Sequence, residues 1–89
     1  MNYTYSKHIL DRMKERDISE EEILKILFAE VDIYIIPSKK DIKVELILGY
    51  VEYKYIALII NKETNNLITV RRMRDNEKKL FKEAKNDKK

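Results

Sequence analysis

"KILFAEVDIYIIP", residues 25–37, contains the change of period that decides the fold class. Up to Ala29 the apolar residues repeat at helical spacing. From Val31 onward β-branched and aromatic residues replace them in an extended pattern. Upstream, Ser19 followed by Glu22 forms a capping box, with Ile18 and Ile23 in the positions of a hydrophobic staple. A helix is therefore predicted from Ser19 to about Ala29, and Ile23, Leu24, Ile26, Leu27 and Phe28 cover more than half its circumference. An earlier helix is predicted over Ser6 to Arg16, with a narrow stripe of Ile9, Leu10 and Met13, ending at "RDIS".

Downstream of the switch, four strands are predicted at "VDIYIIP", "IKVELILGY", "YKYIALIIN" and "LITVRRM". They are joined by "SKKD", by a tight turn near Gly49 to Glu52, and by "KETNN", whose asparagines tolerate left-handed backbone. Links this short favour antiparallel neighbours in a meander. The third of these strands is apolar on both faces and is expected to be central. The second alternates Val44, Leu46 and Leu48 against Lys43 and Glu45, which predicts a half-solvated sheet face. Residues 75–85 suit a short helix seated on Leu80 and Phe81, with "KNDKK" fraying after it. The predicted fold is α+β: two N-terminal helices on one face of a four-stranded antiparallel sheet, the other face open to water or a ligand, and a short C-terminal helix or tail. Residues 1–76 are read as one domain and 77–89 as its basic tail.

Composition narrows the function. At 89 residues, one compact core is the expectation, and a chain of this size removes only about 60–65% of its unfolded surface from water. With no cysteine, a disulfide framework, thiolate zinc and a cysteine nucleophile are excluded. "MNYTYSKH" lacks the apolar core of a secretory signal and "IALII" is too short to span a bilayer, so a soluble cytoplasmic protein is expected. The net charge of +3 equals that of residues 77–89 alone, so any anion site in the folded part must be a local cluster. The charged, glycine-poor composition also resembles that of heat-adapted proteins. One histidine cannot build a zinc centre, no acidic ligand loop is present, and the single glycine leaves no phosphate-cradling loop. No metal or cofactor is therefore expected.

Three groups of residues remain. His8, Arg12 and Arg16 stand at four-residue steps and drift only ~40° per step around the first helix, forming a row along one flank, away from the apolar stripe. An imidazole ordinarily titrates near pH 6.5, as a proton carrier at neutral pH requires, and guanidiniums hold phosphate. The alternative is a solvated flank in which Glu15 neutralises the arginines. In "TVRRMRD", residues 69–75, strand alternation puts Thr69 and Arg71 on the open face and Val70 and Arg72 on the other, where Val70, with Ile68, joins the core. Arg71, Arg72 and Arg74 form a basic strand end: Arg71 beside the Thr69 hydroxyl suits a phosphate grip, and the alternative is an edge strand guarded by charges against aggregation. Tyr50, Tyr53 and Tyr55 flank the second hairpin and either stack on bases or cover the sheet.

The order "YSKHILDRMKERDISEEEILKIL", then strands ending in "LITVRR", resembles a family of small bacterial and archaeal domains that open with Ser-Lys-His and a spaced arginine pair. That family is similar to the Barnase, EndoU, colicin and RelE-like ribonuclease superfamily, which includes RelE-like and BrnT-like toxins. The likeness spans about residues 3–74. It implies a metal-independent endoribonuclease in which an RNA 2′-hydroxyl attacks the adjacent phosphate, with RNA, on or off the ribosome, as substrate and an antitoxin as partner. In that reading His8, Arg12 and Arg71 are catalytic, and Arg16, Thr69, Arg72, Arg74 and Tyr53 hold RNA. The second proton-transfer role falls to a tyrosine, an arginine or water. Two other readings stand beside it: a non-catalytic RNA- or protein-binding module, and a homodimer that closes a sheet edge against a copy of itself.

Overall fold

A computed structural model describes residues 2–86. The fold is α+β, with three helices and a five-stranded mixed sheet. The elements in chain order are β1 (Thr4–Tyr5), α1 (Lys7–Glu15), α2 (Glu20–Leu27), β2 (Ile33–Pro37), β3 (Val44–Val51), β4 (Lys54–Asn61), β5 (Asn66–Arg72) and α3 (Asp75–Asn86). Across the sheet the strand order is β1-β5-β4-β3-β2. The four predicted strands pair antiparallel, with doubly apolar β4 at the centre. The fifth strand, β1, was not predicted. It pairs parallel to β5 over two residues, too few to carry any periodicity.

Both N-terminal helices start and end as their chemistry dictates. Ser6 caps α1, its hydroxyl accepting from the Ile9 N–H, while Ser19 and Glu22 form the full capping box of α2. One sheet face is covered by these two helices. There Ile9, Ile18, Ile23 and Ile26 pack on Ile47, Val51, Ile56, Leu58, Ile60, Leu67 and Val70.

The second face is not open, contrary to the expectation. α3 lies across it, with Phe81 packed among Leu48, Ala57 and Met73, flanked by Tyr34, Ile36, Leu46 and Tyr55. Leu46 and Leu48, read as one side of a half-solvated strand, are thus covered, and Ile47 on the reverse is buried too. Leu80, expected beside Phe81 as an anchor, is 38% exposed. Of the segment "KNDKK", Lys85 and Asn86 are helical and the rest lies outside the described residues.

Two local readings also change. Gly49 is not in the turn but inside β3, beneath Ile26. The turn itself is Glu52–Tyr53, both at positive φ (49° and 68°), the type I′ geometry that matches strand twist. Ile68 is not a core position, because β5 carries an irregularity in register: Ile60 pairs with Leu67 but Ile59 with Thr69. The extra residue lets Leu67 and Val70, three apart, face the same core.

Candidate functional site

α1 lies along β5, its Ile9 seated against Leu67 and Val70, and it carries the predicted row. His8 is exposed in the first turn. Its Nε2 accepts a hydrogen bond from Arg12 Nε at 3.3 Å. Arg12 also donates through Nη1 to both carboxylate oxygens of Glu15, at 2.8 and 2.9 Å. The neutralising role foreseen for Glu15 is therefore real for Arg12, but it does not extend to the rest of the row. Arg16 caps the C-terminus of α1, and its carbonyl accepts from Arg72 Nη2 at 3.2 Å. Its own Nη1 is buried without a hydrogen-bond partner among the described residues. A cation from the strand end and the cations of the helix row thus share one side of the molecule.

Arg71 and Thr69 do not join them. Val70 and Arg72 alternate toward α1, while Thr69 and Arg71 point to the α3 face, where Arg71 stands opposite Ala57. There Arg71 holds Glu77 in a bidentate ion pair, Nη1 to Oε1 at 2.6 Å and Nη2 to Oε2 at 2.9 Å. Glu77 Oε1 also accepts from the Arg74 backbone N–H at 2.8 Å, capping the start of α3. The Arg71 hydrogen bonds hold the Glu77 carboxyl below its usual range, against the burial that raises it. The same bonds raise the Arg71 pKa. A phosphate reaching Arg71 would have to displace a buried carboxylate, and breaking such a pair is strongly unfavourable. His8 and Arg71 therefore do not share a site, because they lie on opposite faces of the sheet.

The remaining candidates separate in the same way. Tyr50 and Tyr55 pair across β3 and β4 at 4.6 Å between ring centroids, and Tyr55 packs edge-on against Phe81. Lys78 and Lys82 lie over the Tyr55 ring. Those two tyrosines serve as sheet cover, whereas Tyr53 at the turn is 91% exposed. The Arg74 side chain is exposed at the start of α3. Tyr5 is unsuited to the second proton-transfer role. Its hydroxyl is buried without a hydrogen bond of regular geometry, and burial, followed by the nearby Glu20 carboxylate, pushes its pKa up to about 12.

Sequence reasoning placed Glu22 in the capping box but missed its burial against Lys54, and it missed Glu77, the second buried carboxylate. Glu22 accepts from Lys54 Nζ at 3.0 Å and from the Ser19 N–H at 2.8 Å, fastening the α1–α2 junction to β4. Glu77 had a readable signal: it stands four residues before Phe81 and so shares the buried face of α3. Among the described residues no group of three or more metal-ligating side chains assembles, and no helix is long and apolar enough to cross a membrane.

One family, described as a domain of unknown function (DUF4258), matches the chain over residues 5–72, from β1 to the last residue of β5. No curated protein and no solved structure matches it.

Proposed function

The chain belongs to the DUF4258 family, and we propose that it is an RNA-binding domain of ribonuclease type whose working surface is the α1 row together with Arg72. The observation that carries this reading is the contact between Arg72 Nη2 and the Arg16 carbonyl. It brings a strand cation to the helix row on which His8 stands. Arg12, Arg16 and Arg72 then hold successive phosphates, and guanidinium suits that role because its planar fork matches two phosphate oxygens.

The reaction follows from His8. Its Nε2, which accepts from Arg12 in the free protein, takes the proton of an RNA 2′-hydroxyl when Arg12 turns to the phosphate. O2′ then bonds to phosphorus, the bond to the 5′-oxygen breaks, and that oxygen takes a proton from water. The products are a 2′,3′-cyclic phosphate and a free 5′-hydroxyl. Arg71 leaves the catalytic set in this proposal and becomes the anchor of α3. A toxin restrained by a protein partner is the biological setting that the resemblance implies.

A second reading, a binding module without catalysis, is favoured by one observation: Arg71 is committed to Glu77, so the site has fewer fixed cations where charge would build up. The two readings separate in one experiment, cleavage and binding of mixed single-stranded RNA in EDTA. For the nuclease, His8→Ala lowers cleavage by about 10²–10⁴-fold while RNA affinity stays. Arg12→Ala and Arg72→Ala each weaken binding and reduce its salt dependence by about one counterion. Arg71→Ala changes neither for the folded fraction. Binding without cleavage in the wild type selects the second reading, and loss of neither property in the arginine variants overturns both.

A further inference from the structure

Among the described residues β2 is the outermost strand on one side of the sheet, and no strand pairs with its outer edge. Two hydrogen bonds show which backbone groups point inward: the Asp32 carbonyl accepts from Tyr50 N–H, and the Ser38 N–H donates to the Val44 carbonyl. Even-numbered residues of β2 therefore pair with β3. Ile33 and Ile35 turn both their N–H and C=O groups outward, and Pro37 turns out its carbonyl. The register from Ile33 to Pro37 is unbroken, so no bulge twists the edge away. No charge lies within "IYII", and Ile35 is 45% exposed. Those are the devices by which natural edges avoid pairing, and here only the proline remains, at the end of the strand.

The charges at the two ends of the strand have opposite sign. Glu30 and Asp32 precede it, while Lys39 and Lys40 follow it. Among the described residues Asp32 meets Lys85 at 3.1 Å, and Glu30, Lys39 and Lys40 make no ion pair. In an antiparallel pairing of two identical strands, the acidic end of each copy necessarily lies beside the basic end of the other.

From these features we infer that two copies of this chain associate through β2, about a two-fold axis at Ile35, to form a continuous ten-stranded sheet. Around that axis the two Ile35 residues exchange their N–H and C=O groups, and each Ile33 N–H donates to the other copy's Pro37 carbonyl. Glu30 and Asp32 meet Ser38, Lys39 and Lys40 of the second copy. The contact is small, so the dimer depends on concentration, and its rim charges make it weaken with salt. This proposal is independent of any activity on RNA.

Sedimentation equilibrium on the full chain tests it. A dimer is expected that is lost in Ile35→Lys, with circular dichroism unchanged, and kept in the surface control Tyr53→Lys. The ends supply a second arm that does not disturb the core. Lys39→Glu with Lys40→Glu, or Glu30→Lys with Asp32→Lys, each prevents self-association. Mixing these two variants restores a dimer, because each then meets its opposite charge. A monomer at millimolar concentration overturns the proposal, as does a dimer insensitive to Ile35→Lys or failure of the mixed variants to associate. A wild-type monomer that instead binds a foreign strand along β2 would likewise show that the edge serves another chain.

Discussion

At the scale of single residues, Gly49 shows how one amino acid can signal two different things. Glycine commonly marks a turn, and the chain has only one, so the sequence suggested a turn there. The structure uses the missing side chain instead. A Cβ at Gly49 would lie 2.8 Å from Ile26 Cγ1 and 3.1 Å from Cδ1, which is how α2 comes down onto β3. Ile26 is fully buried and has little room to retreat. Gly49→Ala should therefore destabilise the fold by about 1–3 kcal/mol, the usual result of overpacking, seen as a lower urea midpoint with unchanged slope. Adding Ile26→Val, which removes Cδ1, should recover part of the loss. Failure to recover would mean that the strand resists the side chain for some other reason. The site residues divide on similar lines. Spacing alone placed His8, Arg12 and Arg16 on one flank, and alternation alone separated Arg71 from Arg72. That the second face is covered depended on Phe81 packing with Ala57 and Leu48, 24 and 33 residues away in sequence, and no local pattern encodes that.

At the scale of elements, the starts of the helices were legible and their ends approximately so, at Arg16 and near Ala29, but the backbone motif that ends them was not. Ser6 and Ser19 announce helices because their hydroxyls accept orphan N–H groups, a signal written within four residues. Both helices then end in the same motif. Ile18 N–H reaches the Met13 carbonyl and Asp17 N–H the Lys14 carbonyl, while Glu30 and Ala29 repeat the pattern on Lys25 and Ile26. The residue that must turn left-handed is glycine in most such endings, but here it is Asp17 (φ 52°) and Ala29 (φ 53°). A chain that spends its one glycine on close packing makes its turns from residues that give no warning, and the Glu52–Tyr53 hairpin is a third example. Ala29 bears the greater strain, having no side-chain polar group to compensate it. Ala29→Gly should stabilise the protein by about 0.5–1 kcal/mol, since relief of the left-handed Cβ exceeds the added freedom of the unfolded chain. Thermal and urea unfolding would show it. A loss of stability would mean that the Ala29 methyl contributes packing that outweighs its backbone strain.

At the scale of the whole molecule, the sheet is the middle of three layers, and each outer layer is fastened to it by one buried carboxylate. Glu22 ties α1 and α2 to β4 through Lys54, and Glu77 ties α3 to β5 through Arg71. Both carboxyls titrate below their usual value of 4.5. For Glu22 burial opposes the shift, but the Ser19 N–H and Lys54 outweigh it; for Glu77 the hydrogen bonds from Arg71 dominate. Lowered folded-state values mean that each pair contributes its full stability above the ordinary carboxylate range and loses it as pH falls through the depressed value. Urea midpoints measured in steps from about pH 7 to about pH 3 should therefore decline below about pH 4.5, with part of the decline removed in Glu22→Gln and part in Glu77→Gln. At neutral pH Glu77→Gln removes the carboxylate paired with Arg71 and Glu22→Gln leaves Lys54 with only the exposed Asp17 carboxylate, at 3.8 Å, and each variant should lose about 1–3 kcal/mol. The two carboxylates act on opposite faces and share no partner, so the losses should add to within about 0.5 kcal/mol in the double variant. If the losses do not add, the sheet transmits strain from one face to the other, and α3 becomes a lever on the α1 surface where His8 and the arginines lie. If they add, α3 can be loosened without disturbing that surface, and the roles of Arg71 and of the α1 row can be measured separately.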